Sequence, residues 1–244
     1  MSIPKVIHYC WFGGAPFPEL VKKCMKSWEK YCPDYKIVCW NEENFDVNSN
    51  RYVKEAYEAK KWAFVSDYVR LYVVYENGGV YLDTDVELLK PLDSLIEKEG
   101  YMGYEKDGNI STGLGFACEK GNPLVKALLD DYRDIPFKLS EDKYDITPCP
   151  VRNTKRIESL GMDIKNKNSV FMGIRFLPEE YLCPMDYYTG RKNITKNTYS
   201  IHRYSASWTS AISKRTIFMK RLLGVRLYEK LYGKFLHRFN WLEW

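Results

Sequence analysis

Residues 62–91 read WAFVSDYVRLYVVYENGGVYLDTDVELLKP. From Trp62 to Tyr75 only Ser66, Asp67 and Arg70 interrupt an apolar run. A helix that is apolar almost all round is buried. Asp67 and Arg70 stand three apart and share a face of it. Buried charges are costly unless paired or used. Asn77-Gly78-Gly79 predicts the helix stop, because glycine takes the left-handed cap freely. The short apolar run Val80-Tyr81-Leu82 then predicts a buried strand that ends in Asp83-Thr84-Asp85. In open α/β sheets, ligands bind beyond the carboxyl ends of the strands. Oxygen ligands on a short turn suit a hard divalent cation, Mn2+ or Mg2+, shared with phosphates. Plainer readings of the same residues are a structural Asp67–Arg70 ion pair and two solvated aspartates on a turn.

Outward from this stretch, the pattern alternates. Val6 to Trp11 predicts a first strand that ends in Phe12-Gly13-Gly14, where the backbone turns sharply. Pro18 opens a helix to about Lys30, with Leu20, Cys24 and Trp28 inward, and Lys36 to Trp40 reads as the second strand. Strand, helix and strand in succession argue for a sheet wound with helices. A helix over Pro123 to Tyr132 is capped by Asn122. Tyr101 to Tyr104, Gly113 to Cys118, Val170 to Leu177 and Thr198 to His202 read as further strands, with Glu105 to Thr112 a loop that can wall an acceptor. Thr147-Pro148-Cys149-Pro150 reads as a rigid extended segment that can line the acceptor side, and Tyr181 to Thr189 as a loop. Trp11 leaves the first strand as Asp83 leaves its own; its ring can stack on a flat base or fill the core beside two glycines.

The pattern SDYVRLYVVYENGGVYLDTDVELLKPLD resembles the sugar-binding region of retaining glycosyltransferases with a DxD motif, family 32. That group includes capsule-synthesis transferases of bacteria and the fungal mannosyltransferases that initiate outer chains. It is distantly similar to the catalytic domains of clostridial glucosylating toxins. IPKVIHYCWFGG and, more weakly, HRYSASW extend the resemblance from Ile3 to Trp208. It implies an α/β fold: a GT-A-type, Rossmann-like mixed sheet flanked by helices. It implies Asp85 on a metal, Asp83 contacting the ribose or reaching the metal through water, and His202 as the histidine that bacterial members place upstream of their C-terminal motif. Histidine favours Mn2+ over Mg2+. It further implies Arg70 on the phosphate or donor-sugar side, Asp67 on donor-sugar or ribose hydroxyls, Tyr81 near the donor, and Trp11 stacked on uracil. Asp83, Asp85 and Arg70 are then the residues of the chemistry. In the toxins a serine and a tryptophan two residues apart close the donor site. Here Ser207 and Trp208 are adjacent and Ser205 is three from Trp208, so the spacing departs and the choice of serine stays open.

Composition sets bounds on the function. The chain has 244 residues, a net charge of +5 and 16% aromatic residues, the size of one α/β domain with an appendage. Seven scattered cysteines without a CxxC pair, and three histidines, argue against zinc and for reduced thiols in a cytosol. No stretch approaches the roughly 20 apolar residues that span a bilayer. From Ser213 the chain turns basic, with Lys214, Arg215, Lys220, Arg221, Arg226, Lys230, Lys234 and Arg238 against Glu229 and Glu243, interleaved with apolar residues. Such a helix can lie on an anionic leaflet or pack on its own domain.

Together these features predict a glycosyltransferase domain over residues 1–212 and a basic amphipathic helical tail over 213–244. The expected activity is metal-dependent, retaining transfer of a hexose from a nucleotide-diphosphate sugar. UDP-hexose is the first expectation for the donor and GDP-mannose the second. The expected acceptor is an oligosaccharide or a lipid-linked saccharide of capsule or surface polysaccharide. The expected place is the cytoplasm, peripheral at the inner membrane face, with no nucleic-acid partner. Two other classes were weighed. Hydrolysis of a nucleotide diphosphate asks for more clustered carboxylates or histidines. A non-catalytic polyanion binder rests on the tail alone and leaves Asp83 and Asp85 without a purpose.

Overall fold

The computed structural model describes residues 2–205, 211–224, 227, 228 and 230. In chain order the first half contains β1 (Val6–Cys10), α1 (Glu19–Tyr31), β2 (Lys36–Trp40), α2 (Arg51–Glu58), α3 (Trp62–Asn77), β3 (Gly79–Tyr81), β4 (Val86–Leu88), α4 (Asp93–Ile96), β5 (Gly100–Tyr104), β6 (Ile110–Ser111) and β7 (Phe116–Cys118). Then follow α5 (Pro123–Asp130), β8 (Lys138–Ser140), β9 (Lys143–Tyr144), α6 (Cys149–Ser159), β10 (Val170–Phe171), β11 (Ile174–Leu177), α7 (Glu179–Leu182), β12 (Ser200–His202) and α8 (Ala211–Leu223).

The expected mixed sheet flanked by helices is the architecture of the described residues. The central sheet runs β10-β11-β5-β7-β3-β1-β2, with β6 paired on β5. β1 is parallel to β2 and β3, and β11 is parallel to β5, while β7 runs antiparallel to both β3 and β5. Strands β1, β3 and β5 therefore all end at one edge. Side chains alternate across the sheet, as the pleat requires. Val80 and Leu82 face one core with Ile7, Trp28 of α1 and Leu182 of α7. Tyr81 faces the other, with Val69 of α3, Tyr52 of α2 and Leu124 of α5. Helix α3 packs largely inside this second layer, which is why its sequence is apolar nearly all round. Gly78 caps it at φ +69°, and a Cβ there would stand 2.8 Å from the Lys120 nitrogen.

Several expectations change in detail. In the stretch read as the strand Gly113 to Cys118, Thr112–Leu114 is a 3-10 turn and only Phe116–Cys118 is strand, and the loop Glu105 to Thr112 contains β6. The extended segment stops at Pro148, which caps α6; Cys149 and Pro150 occupy the first turn, where proline lacks no needed donor. Val170 to Leu177 is a hairpin, turned at Met172-Gly173, both with positive φ. Tyr181 belongs to the short helix α7, not a loop. Inside α1, Val21 is buried and Leu20 only partly, since the buried stripe runs through Val21, Cys24 and Trp28. All seven cysteines are free thiols, and six are buried.

Candidate active site

The Asp83-Thr84-Asp85 turn connects β3 to β4 at the strand-exit edge. β4 leaves the central sheet and pairs antiparallel with β12, placing His202 opposite Val86. That pairing carries His202 to Asp85 across more than a hundred residues of chain. His202 Nε2 lies 3.0 Å from Asp85 Oδ1. The Ser205 backbone N–H donates to Asp85 Oδ2 at 2.7 Å, and the Arg203 N–H donates to the Asp85 carbonyl at 2.9 Å. One ligand atom each from Asp83, Asp85 and His202 falls within 4.8 Å of the others.

Asp83 is fixed from below. Arg70 Nη2 donates to its Oδ1 at 3.0 Å, and the Tyr81 hydroxyl donates to the same oxygen at 2.9 Å. Arg70 Nη1 reaches Asp67 Oδ1 at 3.1 Å and Cys149 Sγ at 3.3 Å. The structural ion pair and the use in a site are therefore the same arrangement: the Asp67–Arg70 pair extends to Asp83. Gly113 passes so close that a Cβ there would lie 2.6 Å from Asp83 Oδ2.

A cavity of roughly 610 Å³ opens above these groups, lined by Asp67, Arg70, Asp83, His202, Glu105 and Tyr204 among others. The electrostatics follow from burial and pairing. Burial pushes the Asp83 and Asp67 carboxyls up, and the Arg70 guanidinium between them opposes it. Burial also works to raise Asp85, but the His202 charge and hydrogen bond and the Ser205 N–H hold it well below the usual carboxylate range. Burial would lower His202; the Asp85 carboxylate, with Asp83 and Glu105, lifts it to about 9. Carboxyls outnumber cations around the cavity, which suits a divalent ion.

The residues fit such an ion. An oxygen and a nitrogen 3.0 Å apart are spaced as neighbouring ligands of a six-coordinate cation with bonds of about 2.1 Å.

Not every residue expected in the site lines the cavity. Trp11 sits at the same edge, beyond β1, but its ring packs 4.8 Å from Phe17 and its indole N–H donates to the Ala15 carbonyl at 2.7 Å. Tyr81 is buried beneath Asp83 and acts on it through its hydroxyl. Ser207 and Trp208 lie outside the described residues. Glu105 and Cys149, which also line the cavity, lie in the two segments expected beside the acceptor, residues 105–112 and 147–150, though neither residue was singled out; Tyr204 joins them from the segment after β12. Glu105 carried a legible signal, an acidic residue directly after an apolar strand, as at Asp83.

Residues 18–102 match the family described as the glycosyltransferase sugar-binding region containing DXD motif, a span that includes Asp67, Arg70, Asp83 and Asp85. Over these residues, about a third of the chain, the sequence is similar to that family. Among curated proteins it is similar to inositol phosphoceramide mannosyltransferase 3 of Schizosaccharomyces pombe, 31% identical over 140 residues, covering 55% of this chain and 38% of that one. It is also similar to the initiation-specific alpha-1,6-mannosyltransferase of Candida albicans, 28% identical over 130 residues, covering 49% and 34%. The matches therefore span well under half of these relatives' own length. Among solved structures, PaToxG glycosyltransferase aligns at 22% identity with a TM-score of 0.49, covering 67% of this chain and 72% of that one.

Proposed function

We propose that this protein transfers a hexose, with retention at the anomeric carbon, from a nucleotide-diphosphate sugar to a saccharide acceptor. The observation that carries the reading is the convergence of Asp83, Asp85 and His202 within 4.8 Å at the strand-exit edge. Those three residues would hold a divalent cation, with Mn2+ favoured by the imidazole. When bound, such an ion supplies Lewis-acid neutralisation of the leaving diphosphate. The chain's own groups do the rest. Arg70, buried and held by Asp67 and Asp83, presents a fixed positive charge to the donor, and a charge-assisted contact in a desolvated site is strong. Asp67 faces the cavity and would accept from donor-sugar hydroxyls. Tyr81 and Gly113 keep Asp83 in place. Trp11 remains our candidate for the base at the rim, with Ser207 and Trp208 closing over the donor.

UDP-hexose is the donor favoured by the resemblance of Trp11 to a uracil-stacking tryptophan. A second reading, GDP-mannose, is favoured by the matched relatives, which include several proteins named as mannosyltransferases. An oligosaccharide or lipid-linked acceptor in capsule or surface polysaccharide synthesis fits either. We assign the catalytic domain to residues 1–212 and an accessory tail to 213–244. In that tail, Phe218 and Leu222 stand one helical turn apart, 63% and 68% exposed, beside Arg221. This supports contact with an anionic membrane surface at the inner face. No helix among the described residues is long and apolar enough to cross a membrane.

The test is binding and slow hydrolysis of UDP-glucose, UDP-galactose, their N-acetyl forms and GDP-mannose, with Mn2+ and with EDTA. One donor should be turned over only with metal, and Asp85→Asn should abolish it. Metal-independent binding, or none, would refute the reading.

A further inference from the structure

β3 and β5 both run antiparallel to β7, which lies between them, so they point the same way. Asp83 follows the first by two residues and Glu105 follows the second directly. Two strand exits thus deliver two carboxyls to one cavity. Asp67 and Glu105 flank Asp83 from different sides. The neighbours that act on Asp67 are Arg70, Asp83, Cys149 and Arg152. Those that act on Glu105 are His202, Asp107, Ser111 and Asp83. Asp67 is therefore on the Arg70 side, and Glu105 on the His202 side, where Tyr204 also feels its charge.

The backbone holds Glu105 in this position. Its N–H donates to the Asn109 carbonyl at 2.7 Å, and its carbonyl accepts from the Gly108 N–H at 3.1 Å. The neighbouring Asp107 carboxylate is occupied within the same turn, accepting from the Asn109 backbone N–H at 3.0 Å and its side-chain amide at 2.9 Å. Asp107 also lines the cavity, but its carboxylate is taken up within the turn, which leaves Glu105, steadied by the Ser111 hydroxyl, as the one not so engaged. Among the neighbours that act on it most, only His202 carries positive charge, and His202 is already paired with Asp85. A half-buried carboxyl that faces a cavity and makes no ion pair of its own among the described residues is available to a ligand's hydroxyl.

We propose that Glu105 touches the attacking hydroxyl, of the sugar acceptor or of water when the donor is hydrolysed, and accepts its hydrogen bond. This rests on the nucleotide-sugar reading above. In the step it serves, the hydroxyl oxygen bonds to the anomeric carbon. The bond from that carbon to the diphosphate oxygen breaks, its electron pair stays on the diphosphate, and the hydroxyl proton, directed at Glu105 while the nucleophile docks, turns to that leaving oxygen as negative charge develops there. Glu105 orients the nucleophile and ends the step in the protonation state in which it began. Geometry of this kind is worth much of a rate, since a nucleophile misplaced by about 1 Å costs on the order of a hundredfold.

Donor hydrolysis provides the test without a known acceptor. UDP-glucose, UDP-galactose and GDP-mannose are each assayed with Mn2+ on wild type, Glu105→Ala and Glu105→Gln, alongside direct binding of UDP and GDP. Glu105→Ala should lower kcat by about tenfold or more at unchanged KM, with nucleotide Kd within about twofold of wild type. Glu105→Gln, whose amide oxygen still accepts, should fall between the two. Should the alanine variant not fold, the glutamine variant carries the test, with kcat down several-fold at constant KM. An unchanged kcat, a rise of KM and Kd together, or a glutamine variant as poor as alanine would overturn the assignment while leaving the transferase reading intact. A wild type that neither binds nor hydrolyses any of these donors would overturn both.

Discussion

His202 and Asp85 are 3.0 Å apart because β12 pairs with β4, the strand that begins one residue after Asp85. Removing the imidazole should therefore cut metal affinity without unfolding the domain. His202→Ala is expected to weaken Mn2+ binding by about tenfold or more, roughly 1.4 kcal/mol per decade, and Asp85→Asn by more. Titration calorimetry with Mn2+ measures both, and equal affinity in wild type and His202→Ala would remove the histidine from the site.

Arg70 bridges the buried carboxylate of Asp67 and the half-buried one of Asp83. Arg70→Ala leaves both charges uncompensated, and breaking a buried pair in this way costs on the order of 3–5 kcal/mol. Arg70→Lys keeps the charge but loses the planar fork that reaches both partners at once. The lysine variant should fold, as read by urea denaturation, yet lose most donor turnover. Alanine and lysine variants of equal stability would contradict the bridge.

Gly113 is predicted to resist even alanine. A Cβ there falls 2.6 Å from Asp83 Oδ2 and 3.4 Å from Arg70 Nη1, so the carboxylate must shift. Gly113→Ala should lower donor hydrolysis by roughly ten- to a hundredfold with little change in the urea midpoint. Full activity in this variant would show that Asp83 is not held in position from this side.

His8 supplies a pH-dependent term in stability. Its Nε2 lies 2.9 Å from the Gly78 carbonyl and its Nδ1 accepts from the Trp40 indole N–H at 3.0 Å, so the neutral ring with its proton on Nε2 satisfies both. Burial pushes its pKa below the ordinary 6.5. Between that lowered value and 6.5 the unfolded chain binds more protons than the folded one, and stability falls as pH falls. The contribution is complete above 6.5 and is lost on acidification through the folded value. Urea midpoints should drop between pH 7.5 and pH 5 in wild type, and the drop should shrink in His8→Gln.

The exposed pair Phe218 and Leu222 should govern membrane contact. Cosedimentation with vesicles containing anionic phospholipid should fall several-fold in the double serine variant, while binding of UDP and GDP stays unchanged. Equal partitioning of variant and wild type would assign α8 to packing alone.

Helix α3, its glycine stop and the Asp-x-Asp turn were legible in the sequence because each is decided locally. An almost uninterrupted apolar run demands burial, Gly78 can adopt φ +69° at no steric cost, and an apolar strand ending in carboxylates has few other uses. The same local logic fails at residues 147–150, where prolines suit an extended chain and the first turn of a helix equally well, and tertiary packing chose the helix from Cys149 onward.

The sequence by itself determined which elements form and which carboxylates stand at strand ends, since periodicity, capping and turn chemistry act over a few residues. Only the tertiary structure decided which of those groups meet. The β4–β12 pairing brings His202 to Asp85, the antiparallel β7 sets β3 and β5 running in the same direction, and the buried Arg70 joins Asp67 to Asp83. Sheet order and the desolvation that makes an unpaired charge costly are properties of the assembled core, and no window of sequence contains them.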